Sequence, residues 1–211
     1  MKILYFDLFS GVSAEALFSA LCDIYDAKNI EYEKEKTDVL GIPCSKCTLK
    51  DGNIFSESDK NFAKSLSEKF FDGKSDKNDI FCAVKNIIEQ INPDYIMSSP
   101  IYDGSGFKDG EPVPSVEIAE LFKNLKIPFR TLDKNAHLAA KDGVCLVYRL
   151  ANEFGLMSDT EIDKIGYGTD GKRVVRVITG FDKQKGLSDI FEISEDFFTS
   201  EKTVYCSNTA K

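Results

Sequence analysis

Ile3-Leu4-Tyr5-Phe6-Asp7-Leu8-Phe9-Ser10-Gly11-Val12-Ser13-Ala14-Glu15-Ala16-Leu17 is the stretch that sets the fold class. Apolar residues rich in β-formers run into an acid, a Ser-Gly-x-Ser turn follows, and an amphipathic helix begins. In an α/β protein this is how a buried strand delivers a polar turn to the carboxyl edge of a sheet, where ligands bind. Asp7 leaves the strand, Gly11 permits an unusual backbone angle or a close ligand approach, and Ser13 can cap the helix. Helix-start amides beside a carboxylate could serve an anion and a cation together, such as a nucleotide phosphate with its metal. The plainer alternative is a strand-turn-helix corner in which Asp7 and Ser10 only bond backbone amides.

Outward from that corner, Leu17, Phe18, Leu21, Ile24 and Tyr25 keep to one helical face through Asp26. Residues 30–37 read as extended or loop, Val39–Ile42 and Lys46–Leu49 as short strands, and Asp51-Gly52 as a turn. Asp59 opens a helix carrying Phe62, Leu66 and Phe70, and residues 72–78 form an exposed loop. The clearest helix spans Asp79–Ile91, with Asp79 as its N-cap and Asn92-Pro93 as its stop. Tyr95-Ile96-Met97 is a buried strand that opens a long connection, 98–115, containing Gly104-Ser105-Gly106. Those glycines allow amides to curl around an anion, although no phosphate-loop Lys-Ser or Lys-Thr follows. Ser115 caps a helix with Ile118, Leu121, Phe122 and Leu125, and Ile127–Thr131 is a strand. A helix from Asp142 closes at Gly155, and Ile165-Gly166-Tyr167-Gly168 reads as a turn before a strand at Val174–Thr179.

A formal charge of −8 and a pI near 4.8 exclude general nucleic-acid affinity, which needs a basic footprint. No stretch has the length to cross a bilayer, and Asp7 interrupts the first apolar run too early for a signal peptide, so the expected address is the cytoplasm. There the six cysteines, Cys22, Cys44, Cys47, Cys82, Cys145 and Cys206, stay reduced. Cys44-Ser45-Lys46-Cys47 is the only paired spacing, readable as a metal or redox pair or as two unconnected thiols. The single histidine, His137, leaves any metal site to thiolates and carboxylates.

The co-linear pieces Leu4–Ser13, Ser99–Phe107, Pro112-Val113-Pro114, Glu120-Leu121-Phe122, Ile127-Pro128, Leu150–Gly155 and Lys164–Gly168 resemble the LarC-type nickel insertion proteins. That resemblance covers most of residues 3–180 and implies nickel placement into pyridinium bisthiocarboxylic acid mononucleotide, a nickel-pincer cofactor. It also implies a C-terminal module that uses CTP with a divalent metal, missing here or supplied by a separate chain. The chain departs from the family pattern at its polar positions. Ala14-Glu15-Ala16 stands in place of Gly-Asp-Met, and the histidine-rich loop, the His-Glu before the central helix and the His-Gly before Pro112 are absent.

The expected architecture is therefore an α/β domain over residues 1–182, with helices layered on a mixed, largely parallel sheet. Residues 183–211 form an appendage or the remnant of a second module. Asp7, Ser10, Gly11, Ser13, Gly104, Ser105 and Gly106 are the candidates for holding a nucleotide-like molecule. Asp7, Glu15, Cys44, Cys47 and His137 are the candidates for nickel, which favours imidazole, thiolate and carboxylate donors. The functional readings are a nickel-inserting, chelatase-like lyase or a subunit of one, and a non-catalytic relative acting as a binding or assembly partner. A homo-oligomer is expected. The whole scheme requires the two polar turns to meet at one sheet edge.

Overall fold

The computed structural model describes residues 1–182, so the expectation for 183–211 lies outside the described residues. In chain order the elements are β1 (Lys2–Asp7), α1 (Ala14–Ile24), β2 (Tyr32–Val39), β3 (Ile42–Leu49), α2 (Glu57–Phe70), α3 (Asn78–Ile91), β4 (Tyr95–Ser98) and β5 (Ile101–Asp103). There follow β6 (Gly106–Lys108), β7 (Glu111–Val113), α4 (Val116–Leu125), β8 (Phe129–Thr131), α5 (Lys141–Leu150), β9 (Glu153–Phe154), β10 (Thr160–Thr169) and β11 (Val174–Asp182).

Seven strands form one mixed sheet in the order β2-β3-β10-β11-β1-β4-β9. The pairs β1–β4, β4–β9 and β3–β10 are parallel, and β1–β11, β10–β11 and β2–β3 are antiparallel. The α/β class read from the sequence holds. Helix α1 lies at the centre of the helical layer. Nine of its residues are buried, because it packs on β3, β10 and β11 on one side and on α3 and α5 on the other. The main core, from Leu4 and Phe6 through Leu17, Phe81, Ile87 and Leu146 to Val177, fills this layer. The sheet's other face carries a small cluster of Ile3, Tyr5, Met97 and Ile178. No helix among the described residues is long and apolar enough to cross a membrane.

Several local expectations move once packing is seen. Gly166 and Gly168 lie inside β10. A Cβ on Gly168 would stand 1.9 Å from Ala20 N, and one on Gly166 would stand 2.7 Å from Ala20 O, so these glycines admit the backbone of α1. The turn itself falls at residues 170–173. The hairpin turn is Leu40-Gly41, both at positive φ, so β2 and β3 are longer than expected and Asp51-Gly52 lies beyond them. Asp59 is the third residue of α2, and its carboxylate completes a capping box with Ser56. Lys77, and not Asp79, caps α3, without a side-chain bond. Helix α5 stops at Leu150, since Asn152 Oδ1 accepts Ile96 N and leads the chain into β9 before Gly155. The connection 98–115 is not structureless: it contains β5, β6 and β7.

Candidate functional site

The opening turn spends its polar groups on neighbouring segments. Asp7 Oδ2 accepts from Arg176 Nε at 2.9 Å and from Nη2, tying the end of β1 to β11. Burial works against the Arg176 charge, but bonds to Tyr167 and Asp7 outweigh it and raise its pKa. Ser10 Oγ donates to Val174 O at 3.0 Å and accepts from Val174 N at 2.7 Å. Gly11 has φ +92°, and a Cβ there would lie 2.2 Å from Leu138 O. Ser13 caps α1 by accepting from Ala16 N at 3.2 Å, and donates to Asp170 Oδ2 at 2.8 Å. Glu15 pairs with Lys77 Nζ at 2.7 Å.

The second turn is equally closed. Asp103 is fully buried, and its Oδ1 accepts from Gly104 N at 2.8 Å, Leu138 N at 2.6 Å and Ala139 N at 3.3 Å. A Cβ on Gly104 would lie 2.2 Å from both Lys134 O and Ala136 O. Ser105 N and Oγ donate at 2.9 Å to Lys134 O and Leu132 O, and Gly106 enters the β6–β7 ladder. Segment 132–140 therefore joins the two turns, because Leu138 also accepts from Val12 N at 3.0 Å. They share the carboxyl edge of the sheet, where β1 and β4 end together. His137 sits half-buried in that joining segment.

An open cleft of about 520 Å³ lies beside this edge, lined by residues of α1, β3, the N-terminus of α3 and the β10–β11 turn. Of the sequence candidates, Glu15 and Cys47 line it, while Asp7, Cys44 and His137 do not. Strand alternation puts Cys44 and Cys47 on opposite faces of β3, so their spacing is not a chelate. Among the described residues, no three of His, Cys, Asp and Glu gather into a group able to hold a metal ion.

The cleft has polar groups on all sides, several of them missed from sequence. Lys46, Lys50, Lys172 and Arg173 line it together with Glu15, Asp51, Asp79 and Asp170, and Phe18, Leu49 and Ile80 add apolar surface. Arg173 is buried, donates to Val12 O at 2.8 Å and reaches Asp170 Oδ2 at 3.1 Å. Burial would raise the Asp170 carboxyl, but Arg173, the backbone N–H groups of Lys172 and Arg173, and Ser13 hold it below the usual range. Behind it, burial and then the Glu15 charge push the Asp142 carboxyl up, while its Oδ1 receives Ala14 N at 3.2 Å. Lys46 and Lys172 have no ion-pair partner among the described residues; Lys172 stands in the β10–β11 turn, while Lys46 shares the face of β3 with Cys44. Such a site suits a small molecule that carries both charged and apolar groups. The signal for it in the sequence was slight: Asp170-Gly171-Lys172-Arg173 looks like any polar turn, and Lys46 sits in an alternating strand.

A family model described as nickel insertion protein matches residues 77–194. The chain is 29% identical to the pyridinium-3,5-bisthiocarboxylic acid mononucleotide nickel insertion protein of Acetivibrio thermocellus, over 90% of this chain and 63% of that one. It is 25% identical to a putative nickel insertion protein of Dictyoglomus thermophilum, over 82% of this chain and 58% of that one. A protein of Lactiplantibacillus plantarum with the same description as the first is 33% identical over 52% of this chain and 28% of its own length. The chain thus spans roughly three-fifths of the first two relatives. No solved structure matches it.

Proposed function

The chain belongs to the nickel insertion protein family, and from that premise we propose that it takes part in placing nickel into a pyridinium bisthiocarboxylic acid mononucleotide, seated in the cleft beside α1. The observation that carries this reading is a cleft lined both by lysines without an ion-pair partner among the described residues, Lys46 and Lys172, and by the apolar side chains Phe18, Leu49 and Ile80. A mononucleotide brings a phosphate for the lysines and a flat ring for Phe18, Leu49 and Ile80. Nickel is the cargo. The ligand's sulfurs would be its final donors, and Glu15 and Asp170, paired with Lys77 and Arg173, are the carboxylates of the same cleft that a divalent cation would have to draw away from those cations.

Calorimetry with nicotinic acid mononucleotide, a pyridinium mononucleotide without sulfur, tests the seat directly. The wild type should bind, and the double variant Lys46→Ala/Lys172→Ala should bind about tenfold or more weakly. No heat with the wild type would remove the cleft from consideration.

A second reading, a non-catalytic relative that binds or assembles without inserting metal, draws support from the ion pairs that occupy Asp7 and Glu15. Nickel titrated into the chain loaded with the pyridinium bisthiocarboxylic acid mononucleotide separates the two. Uptake supports insertion, and binding of the nucleotide alone supports the non-catalytic relative.

A further inference from the structure

The sequence spacing couples Cys47 to Cys44, but the fold couples it to Cys22. Cys47 shares with Ser45 the face of β3 turned to α1. There Ser45 Oγ bonds Asp23 Oδ1 at 2.5 Å, and Ser19 Oγ accepts Cys47 N at 2.9 Å. Ser19 and Cys22 are one turn apart on α1. Lys34, the cross-strand partner of Cys47, donates from its Nζ to Cys22 O at 3.0 Å, so the Cys22 and Cys47 side chains are packed as neighbours between α1 and β3. Both are buried, at 2% and 5% exposure. Even so, Cys47 borders the cleft, and Cys22 borders a second depression beside Tyr32 and Lys34.

We propose that Cys22 and Cys47 form a reversible disulfide that fastens the β2–β3 hairpin to α1 beside the cleft. The hairpin has reason to need fastening. Its ladder to the rest of the sheet is the single bridge Gly168↔Ser45, and side-chain bonds do the remainder. Lys46 to Asp51, at the end of this hairpin, form one wall of the cleft, so the thiol pair lies where covalent closure limits movement of that wall. The inference is independent of any nickel chemistry.

The oxidant is a low-molecular-weight disulfide. Cys47 is the attacking sulfur: the neighbouring Cys22 thiol lowers its pKa, burial opposes this, and the Lys34 charge adds to the lowering. Its thiolate forms a bond to one sulfur of the oxidant, whose S–S bond breaks and releases a thiolate. Cys22 Sγ then attacks Cys47 Sγ in the mixed disulfide, and its proton passes to the second departing thiolate. The protein gives up two electrons and two protons, and the oxidant leaves as two thiols.

The test incubates the full chain in native buffer with oxidised glutathione, blocks remaining thiols, and digests with trypsin. Lys46 lies between Cys44 and Cys47, so cleavage separates them. The expected product joins peptide 3–28 to peptide 47–50. Cys22→Ser should instead leave Cys47 as a glutathione adduct, and Cys44→Ser should link as the wild type does. A wild type that yields only adducts or free thiols, or links through Cys44 or Cys206, overturns the proposal. Amide exchange over residues 46–51 should slow on oxidation and recover with dithiothreitol. Exchange that stays unchanged in the linked protein overturns the fastening.

Discussion

The opening turn and the cleft beside α1 begin within a few residues of each other, yet they use their polar groups in opposite ways. In the turn, Asp7, Ser10 and Ser13 each hold another segment of the chain, and Gly11 and Gly104 are glycines because backbone fills the space of a side chain. In the cleft, the ammonium groups of Lys46 and Lys172 have no ion-pair partner among the described residues. The opening turn builds the carboxyl edge, while the lysines without an ion-pair partner lie on β3 and in the β10–β11 turn.

The contrast breaks most sharply at the glycines. Gly168→Ala should cost roughly 3 kcal/mol or more, or prevent folding, because the new methyl meets the α1 backbone, which cannot rotate away. Gly171→Ala, at φ +94° but in open space, should cost only about 1 kcal/mol in the same urea titration. Equal losses would mean that close packing of α1 on β10 is not what the glycine serves.

Next in size is Asp23, which ties α1 to β2, β3 and β10 through Lys36 Nζ at 2.8 Å, Ser45 and Tyr167 N at 3.1 Å. Burial opposes its charge, but bonds from Lys36, Ser45, Tyr167 N and Lys34 win and bring its pKa to about 2. A folded-state pKa below the unfolded value of about 3.9 adds stability above that value. That contribution, about 1–2 kcal/mol, is lost as pH falls from roughly 4 to 2. Asp23→Asn should remove this stretch of acid dependence, as followed by unfolding at several pH values.

Asp7→Ala should cost about 1 kcal/mol, since Arg176 is partly solvated and the pair is screened. Lys46→Ala and Lys172→Ala close the series, each changing stability by less than about 0.5 kcal/mol while weakening mononucleotide binding. A stability loss from either lysine larger than that from Asp7→Ala would reverse the comparison between turn and cleft.

Much of the architecture was legible because it is local. The β-rich run of β1, the Ser13 cap and the apolar periodicity of α3 follow from rules acting within a turn or two of chain. The errors share one cause. Gly166 and Gly168 look like a turn until α1 is laid across them, and the Cys44–Cys47 spacing leaves two readings open until strand alternation sets the residues on opposite faces of β3 and packing sets Cys22 beside Cys47. The cleft was illegible because Lys46, Asp170 and Lys172 are ordinary surface residues in isolation.

By itself, the sequence determined the α/β class, the helix that everything packs around, and the kinship to nickel insertion proteins. Each of these is written in hydrophobic period, capping chemistry and co-linear motifs. Only the tertiary structure decided which polar groups are occupied and which stay free, since an ion pair or a thiol contact depends on segments that meet across the sheet, up to 169 residues apart for Asp7 and Arg176. Local pattern carries no information about that meeting, because the energy of such a contact exists only once the core has brought both partners to the same place.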